Sequence, residues 1–541
     1  MQAQRNTAFI FLLILSFAIL YFWSGDKTKE EIAKNQPITT ITTSKSTKDT
    51  ETNYVTVSTD LYNLKINLAH GEIFEADLKD QKQSVGSDEN FHLLKDTNNY
   101  HYIANSDLYI DGKTFEKPFT TSQKEYQLNG DSLQVKLESQ TDDGLKIEKI
   151  YTFTKGKHVI DLSYKIANTD NEKKIKIFSY LDQTALDPEQ SAGMFGTSAY
   201  RGIAYSTDTT KYSKLSIDDI AESAKMQTEF SKKGGWVSMI QHYFVTSWIG
   251  SSSDSNTLVF KSSDNGLAAI AGIQSTEYSL KTNEELQISN RLWVGPKIQE
   301  EMEATVANLH LTVDYGWLSF ISIFLFKIML WIHSVLLFLG IENAMGAWGF
   351  TIILLTLLVR GIMYPLTKHQ YVSMAKMRLL APKLQVIKER FKDDRQRLTQ
   401  EMMALYQREK VKPLSGCLPI LIQMPIFIAL YWTFMESIEL RHSPFILWIE
   451  DLSSQDPYFV LPILMGITML LIQKMSPTPI TDPMQKKIMM LMPIIFTLMF
   501  CTFPAGLTLY WVISNCVTVI QQYFIFKALE KRGLNVKNTS K

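Results

Sequence analysis

The fold is decided by residues 343–367, which read NAMGAWGFTIILLTLLVRGIMYPLT and carry a single charge, at Arg360. A run of this length and composition predicts a helix that crosses a bilayer, where an unpaired guanidinium is costly. Four polar residues of the run lie at i, i+4, i+8 and i+11 and share one helical face: Thr356, Arg360, Tyr364 and Thr367. Two interpretations stay open from this segment alone. The face lines a polar cavity, or Arg360 reaches the interface from about 9 Å inside the helix end.

The remainder of the chain divides into two unlike parts. The 541 residues carry 55 Lys+Arg and 55 Asp+Glu, but residues 26–315 are polar, whereas the rest is mostly apolar with a basic insert. All three cysteines, Cys417, Cys501 and Cys516, lie in apolar segments, so disulfides do not hold the polar part together. Both parts are long enough to build a core of their own.

The N-terminal segment predicts a membrane anchor. Arg5 precedes an apolar run over 8–23, which lacks a small-x-small cleavage pattern, so residues 1–25 are expected to remain as an uncleaved anchor. Arg5 favours a cytoplasmic N-terminus and places the following polar part outside the membrane. Residues 26–53 are rich in Thr, Ser, Lys and Asp and predict a flexible linker.

Apolar runs in the C-terminal part predict five further spans, which give six with the anchor. They occupy 346–366, 415–435, 458–473, 488–503 and 505–526. Residues 316–340 contain Lys327 and His333 and are predicted instead to form an interfacial amphipathic helix. Residues 368–413 hold many more Lys and Arg than Asp and Glu, which predicts a cytoplasmic location, and the basic tail 533–541 agrees. The multi-pass topology therefore has both termini in the cytoplasm.

The polar part, 54–315, predicts an all-β sandwich. Short segments such as 61–68 (LYNLKINL), 145–153 (LKIEKIYTF) and 158–166 alternate apolar and polar residues, with turn residues between them. His242 is predicted to be a packed histidine, because no catalytic partner accompanies it in the sequence. No metal-spaced His/Cys set, nucleophile elbow or Gly-rich phosphate loop is evident, and the sequence does not identify a ligand for this part.

The basic insert, 370–412, has helical periodicity on both sides of Lys392-Asp393-Asp394-Arg395 and predicts an antiparallel helical hairpin. Pro382 is expected to kink its first helix. Its residues of interest are Lys376, Arg378, Pro382, Asp393 and Asp394. The insert is either a solvated connector or a surface that contacts acidic lipid headgroups, nascent chains or ribosomal RNA.

Specific motifs run through the apolar part of the chain. They include Val313-Asp314-Tyr315-Gly316, Trp348-Gly349, Tyr364-Pro365-Leu366-Thr367, Gly416-Cys417-Leu418-Pro419, Gln423-Met424-Pro425-Ile426-Phe427, Glu439-Leu440-Arg441 and Phe503-Pro504-Ala505-Gly506-Leu507. The polar part adds Gly234-Gly235-Trp236, Gln241-His242-Tyr243-Phe244 and Gly295-Pro296-Lys297. Together these motifs resemble the YidC/Oxa/Alb membrane protein insertase family.

The resemblance implies a multidomain protein of the inner membrane. Its expected parts are a periplasmic β-supersandwich (54–315) and an insertase core (341–532), whose five conserved spans enclose a hydrophilic groove open to cytoplasm and lipid. The groove positions carry over to Arg360, Gln423 and Trp511, accompanied by Thr356, Ser514 and Asn515. Client contacts carry over to Met424, Phe427, Met499 and Phe500. The implied partners are nascent membrane proteins, the Sec translocon, the ribosome and membrane lipids, with no small-molecule substrate, catalytic residue, metal or cofactor.

Two other classes of function were weighed against an insertase. A polytopic transporter or channel should show several charges within its spans or an inverted repeat, whereas one charge and no repeat are found. A membrane-anchored periplasmic glycan-binding protein would depend on the β part and not on the spans. The polar companions that the resemblance gives Arg360 favour a groove residue over an arginine that reaches the interface.

Overall fold

The computed structural model describes residues 53–97, 100–184, 200–216, 220, 227–262, 268–392, 394–409, 418–475 and 483–531. The predicted anchor (1–25), the linker up to residue 52 and the tail (533–541) lie outside these residues. Asp393 and the side chain of Arg378 lie outside them as well.

The polar part folds as two stacked β-sheets, as its period-two pattern predicts. Its described strands are β1 (Tyr54–Ser58), β2 (Tyr62–Asn67), β3 (Ile73–Lys82), β4 (Asn90–Asp96), β5 (His101–Ile110), β6 (Lys113–Thr114), β7 (Glu125–Gln127), β8 (Ser132–Gln140), β9 (Lys146–Thr154), β10 (Val159–Ala167), β11 (Lys173–Thr184), β12 (Gly202–Ser206), β13 (Ser213–Leu215), β14 (Gln227–Ser231), β15 (Trp236–Ile240), β16 (Phe244–Ile249), β17 (Asn256–Ser262), β18 (Ala268–Ser275), β19 (Tyr278–Leu280) and β20 (Glu285–Pro296). The prediction of a large all-β domain is confirmed, and the examples read from the sequence coincide with β2, β9 and β10 to within one residue at each end.

The larger sheet has the order β14-β17-β18-β11-β5-β4-β3-β2-β1-β7, with β19 beside β11 and β6 beside β5. The smaller sheet has the order β13-β12-β15-β16-β20-β10-β9-β8. In β2 and β10, alternate residues are buried in the shared core, and most of the polar residues between them are more exposed. Tyr62 joins the sheets directly, since its hydroxyl donates to the carbonyl oxygens of His158 (2.9 Å) and Val294 (2.5 Å).

A short helix, α1 (Gln299–Thr305), and two 3-10 turns lead from the β domain to α2 (Ser319–Phe338). The sequence predicted α2 to be an amphipathic helix at the membrane interface. Its buried face is mostly apolar but includes Ser322 and His333. Its outward face exposes Phe320, Phe324, Trp331 and Phe338. Lys327 and Ser334 are also exposed on this helix. An interfacial position for α2 remains a prediction.

The C-terminal part is helical. Its described helices are α3 (Ala347–Ile362), α4 (Tyr364–Arg390), α5 (Arg395–Arg408), α6 (Leu418–Glu436), α7 (Val460–Met475), α8 (Pro483–Phe500) and α9 (Ala505–Glu530). α2, α3 and α6–α9 share one apolar core, in which Ile352, Phe434 and Leu507 are buried. The predicted continuous span 346–366 is instead broken at Met363, where α3 and α4 meet at 60°. Pro365 explains the bend, because its ring would clash with the carbonyl of Gly361 in a straight helix.

Within the described residues, two helices are long and apolar enough to cross a membrane: Gly316–Phe338 and Ala505–Glu530. α3 together with the start of α4 forms a third candidate if the bent pair counts as one span. Val460–Met475 and Met489–Phe500 are apolar but shorter. The count of six spans therefore remains a prediction.

α4 and α5 lie side by side on either side of the predicted turn. Leu380 and Leu384 of α4 pack against Met402, Leu405 and Tyr406 of α5. An ion pair joins Lys383 to Glu409 at 2.7 Å, and the Asp394 carboxylate caps α5 by accepting from the Arg397 amide at 3.0 Å. α4 runs through Pro382 and ends at Arg390. Lys376 is exposed on the same helix.

Candidate functional site

Arg360 lies in the last turn of α3, one turn before the bend at Met363, and its side chain points into the helical core. Its Nε donates to Ser514 Oγ on α9 at 2.6 Å, and Nη2 donates to the same oxygen. With the amide oxygen of Gln423 on α6 turned towards the guanidinium, that oxygen accepts from Nη1 at 3.0 Å and from Nη2 at 2.7 Å. One arginine therefore joins three helices that are far apart in sequence.

No carboxylate neutralises this cation in the part of the chain that the structure describes. The charged or titratable groups that act on Arg360 there are Tyr510 and Tyr371. Ser514 is buried, and Arg360 and Gln423 are half-buried. The cluster thus holds a positive charge on neutral hydrogen-bond acceptors inside an apolar bundle, an arrangement that favours an anionic or polar guest.

The other polar residues predicted for the groove lie close by but bond elsewhere. The Thr356 hydroxyl is fully buried and donates to the Ile352 carbonyl oxygen of its own helix at 2.6 Å. Asn515 donates through Nδ2 to Thr468 Oγ1 on α7 at 3.1 Å, so it ties α9 to α7. Neither side chain contacts Arg360 by a hydrogen bond.

Trp511 belongs to an aromatic cluster and not to the polar one. Its ring meets Phe427 of α6 edge-on at 4.6 Å between centroids and lies 5.1 Å from Phe500 and 6.2 Å from Phe496 of α8. Since Trp511 and Ser514 are three residues apart on α9, the aromatic and polar clusters occupy successive turns of one helix face.

The predicted client contacts differ in their accessibility. Met424 is 41% exposed, Phe427 and Met499 are half-buried, and Phe500 is 1% exposed. In this conformation the Met424 side chain is accessible to a client segment. Phe500 is part of the core and packs against Trp511.

Two residues at the site were not identified from the sequence. Gln521 donates through Nε2 to the carbonyl oxygen of Arg360 at 3.4 Å, and Phe496 completes the aromatic cluster. Gln521 was detectable, because it lies seven residues after Ser514 and therefore on the same face of α9. Phe496 had no local signal, since it lies in an apolar run that is uniform in composition.

The fold and site define a class: a membrane-associated protein with a large β domain and an apolar helical core that holds one cation on neutral partners. Two protein-family models match the sequence. The model of the YidC periplasmic domain matches residues 54–328, which is more than half of the chain, and that of the 60Kd inner membrane protein matches residues 340–532. The chain belongs to the YidC/Oxa/Alb family, as its motifs predicted.

Solved structures also resemble the chain. An active YidC insertase with its first transmembrane domain resolved is 17% identical, with a TM-score of 0.39; 95% of this chain and 98% of that one are covered. A galactose mutarotase related enzyme from Lactobacillus acidophilus is 12% identical, with a TM-score of 0.31 and coverage of 44% and 97%. A galactose mutarotase-like protein from Lactobacillus casei is 9% identical, with a TM-score of 0.28 and coverage of 45% and 100%. At these TM-scores none of the likenesses supports an activity for the β domain.

Proposed function

We propose that this chain is a membrane protein insertase and chaperone of the inner membrane, which acts on nascent membrane proteins alone or together with the Sec translocon. One observation carries the proposal. Arg360 is held by Ser514 and Gln423 within an apolar bundle, with no carboxylate beside it among the described residues. Family membership supports it independently.

The polar cluster would lower the cost of bringing a hydrophilic client segment into the membrane. A charged side chain at mid-bilayer costs at least about 2.5–3.5 kcal/mol. A charge-assisted hydrogen bond contributes about 1.5–3 kcal/mol. An acidic residue or a backbone carbonyl of the client that bonds to Arg360 therefore recovers a comparable amount. Ser514 and Gln423 can release the guanidinium without leaving a buried ion pair broken, because both are neutral.

The apolar side of the site would receive the client's hydrophobic segment. Met424 is exposed next to Phe427, and Met499 lies on the neighbouring α8. Methionine and aromatic side chains adapt to helices of different shape. The free energy comes from transferring the client's apolar surface into lipid, with help from the membrane potential. This work is non-covalent, so no residue is assigned a catalytic role.

The α4–α5 hairpin is proposed to lie in the cytoplasm and to meet the client first. Its basic residues, such as Lys376, suit acidic lipid headgroups and ribosomal RNA. The β domain is proposed to lie in the periplasm. This arrangement gives the groove access to the cytoplasm and to lipid.

The test is reconstitution of the full chain in lipid vesicles together with a single-span phage coat protein. Protease protection of the coat protein's translocated segment measures insertion. If the chain is an insertase, vesicles that contain it should protect a larger fraction of this segment than vesicles without protein. They should also protect more than vesicles that contain the double variant Ser514→Ala/Gln423→Ala. Thr508→Ala is the matched control, because Thr508 lies on α9 outside the polar cluster and its hydroxyl donates to the Pro504 carbonyl oxygen of the preceding turn. Equal protection in all vesicles would refute the proposal. Solute flux without insertion would refute it in favour of a transporter.

A further inference from the structure

Three sequence motifs that the groove does not use meet at one place in the structure. Gly295-Pro296-Lys297 and Gln241-His242-Tyr243-Phe244 come from the β domain, whereas Glu439-Leu440-Arg441 follows α6. They form the contact between the β domain and the C-terminal end of α6. α6 is also the helix that carries Gln423, Met424 and Phe427.

A buried ion pair lies at the centre of this contact. Lys297 Nζ lies 3.2 Å from Glu436 Oε2, and each side chain is 1% exposed. Glu436 Oε1 has no hydrogen-bond partner in the part of the chain that the structure describes, so Lys297 is the direct polar contact of this carboxylate there. A buried charge left without its partner is strongly destabilising, whereas replacing both charges with apolar residues is often tolerated. The pair therefore fixes where the end of α6 can lie.

A histidine of the β domain holds the last turn of the same helix. His242 Nε2 donates to the carbonyl oxygen of Met435 at 2.7 Å, which satisfies one of the carbonyls that a helix end leaves free. Burial, followed by the charge of Lys297, lowers the pKa of His242 to about 4, so the ring is neutral and its Nε2 carries the proton. The prediction of a packed histidine is confirmed, and its partner is a backbone carbonyl of α6.

Arg441 anchors the segment beyond the helix. Its guanidinium donates to Gln81 Oε1 at 3.1 Å and to the Lys82 carbonyl oxygen at 2.6 Å. It also lies 5.3 Å from the ring centroids of Phe91 and Phe244, which stack on each other at 4.0 Å. Ile438, between the ion pair and this arginine, is buried in the hydrophobic core of the β domain.

We propose that the β domain positions α6, and that Lys297, His242 and the Arg441 site hold that helix at the depth and rotation that present Gln423 and Phe427 to the groove. Glu436 and Gln423 are thirteen residues apart on α6, which corresponds to roughly 20 Å of helix. α6 is one helix from Leu418 to Glu436, and Pro425 is its internal proline. Residues 426–436 contain no proline, so a shift at the contact is carried along this stretch to Phe427 and from there to Gln423, one turn further. The effect of the contact on the groove rests on the proposed function. The attachment of α6 to the β domain (the fastening of α6) does not.

Hydrogen–deuterium exchange of the full chain in lipid nanodiscs tests the fastening without any client. The variants Lys297→Met and Glu436→Gln each leave one buried polar partner unpaired. Amide exchange in peptides from 418–436 should become at least about tenfold faster in both variants. In the double variant Lys297→Met/Glu436→Leu, which removes both charges, exchange should return to within about threefold of the original chain.

Arg441→Gln provides a second, milder variant, because Arg441 lies near the surface and the residue can be changed without burying a lone charge. It should accelerate exchange in 418–436 to a smaller extent. Lys65→Met is the control, because it breaks a β-domain ion pair of 2.8 Å that is about one-third exposed. The pair joins β2 to the start of β3, whereas Arg441 contacts the last two residues of β3. It should leave the exchange of 418–436 unchanged.

Peptides from β9 and β10 report on whether the β domain stays folded. The proposal is supported if exchange rises in 418–436 while these strands keep their protection. Unchanged exchange in 418–436, or an equal rise in the strands, overturns it. Coat-protein insertion is then measured for the same variants: loss in the single variants and recovery in the double variant links the fastening to the groove. If the original chain inserts nothing, the proposed function fails while the exchange result still decides the positioning.

Discussion

Arg360 is a cation inside an apolar helical bundle, and its hydrogen-bond partners are neutral side chains. A salt bridge in this position would hold the guanidinium through a buried pair, and separating such a pair costs several kcal/mol. Ser514 and Gln423 satisfy its N–H groups as neutral acceptors instead. The cation therefore remains available to a guest that offers a better acceptor, such as a carboxylate.

Replacing Arg360 should separate the role of charge from that of geometry. Arg360→Ala is expected to reduce insertion of clients with acidic translocated segments by roughly 10- to 150-fold, which corresponds to the loss of one charge-assisted hydrogen bond of about 1.5–3 kcal/mol. Clients with neutral segments should lose less. Arg360→Lys keeps the charge and should retain most of the activity. Protease protection of paired acidic and neutral versions of one client measures the difference.

Both variants should be compared with Lys327→Ala, which removes an exposed cation on α2 outside the polar cluster. If Arg360→Ala and Arg360→Lys both insert acidic clients as the original chain does, the charge of Arg360 has no part in insertion.

The surroundings of a buried histidine predict that the stability of the β domain depends on pH. His158 Nδ1 lies 2.9 Å from Glu301 Oε2, and its Nε2 lies 3.8 Å from Asp80. Burial lowers the pKa of His158, but the two carboxylates outweigh it and raise the value from 6.5 to about 9. Because the folded state binds the proton more tightly, this stabilisation is complete below pH 6.5 and is lost as the pH rises to about 9. The loss amounts to roughly 3 kcal/mol.

Thermal unfolding of the full chain, followed by tryptophan fluorescence between pH 6 and pH 9.5, measures this effect. His158→Gln should be less stable at pH 6 and should lose much of the decline towards pH 9. His92→Gln removes an exposed histidine of the same domain and should keep the decline. An equally steep decline in His158→Gln would exclude His158 as its source.

At the scale of elements, one glycine sets how closely α3 approaches the loop after α6. A Cβ added at Gly349 would overlap the Phe445 ring, and Phe445 also packs edge-on against Phe350. The Trp348-Gly349 motif therefore permits a close approach between helix and loop. Gly349→Ala should destabilise the helical core by about 1–3 kcal/mol, since the ring has to move.

The control lies on the same helix. Gly361 has open space around its Cβ position, so Gly361→Ala should be neutral or stabilising by up to about 1 kcal/mol. Thermal unfolding in detergent compares the two variants. A Tm for Gly349→Ala at or above that of Gly361→Ala would contradict the packing argument.

Elements with a strong local pattern could be predicted from the sequence, and those decided by contacts could not. β9 and β10 lie where alternation placed them, because period two reflects one buried face. The bend at Met363 was missed, since Pro365 lies within an apolar run whose composition alone suggested continuity. On α2, Lys327 and His333 suggested a polar face, whereas His333 is buried and Phe320, Phe324 and Trp331 are exposed beside Lys327.

The same limit applies to the site. Arg360 stood out as a lone charge, but Gln423 came only from the family resemblance, because sixty-three residues separate the two. The resemblance also placed Trp511 with Arg360, whereas its ring packs with Phe427 and Phe500. Local periodicity defines one face of one helix, and it does not specify which face of another helix comes to meet it.

At the scale of the whole molecule, the number of crossings between the β domain and the α4–α5 hairpin determines on which sides of the membrane they lie. One crossing, by α3, puts them on opposite sides. Two crossings, by α2 and α3, put them on the same side, and α2 is long and apolar enough to be a span. The excess of basic residues in the hairpin favours opposite sides. The predicted interfacial position of α2 therefore rests on the charge of the hairpin and not on the composition of α2.

Cysteine labelling of two exposed positions decides between these topologies. In a chain whose Cys417, Cys501 and Cys516 are replaced by serine, Lys155→Cys reports on the turn after β9, and Lys392→Cys on the turn after α4. A membrane-impermeant maleimide added to spheroplasts should label position 155 at once and position 392 only after the membrane is opened. Labelling of both positions before opening would make α2 a span, place the hairpin outside the membrane and remove the groove's proposed access to the cytoplasm.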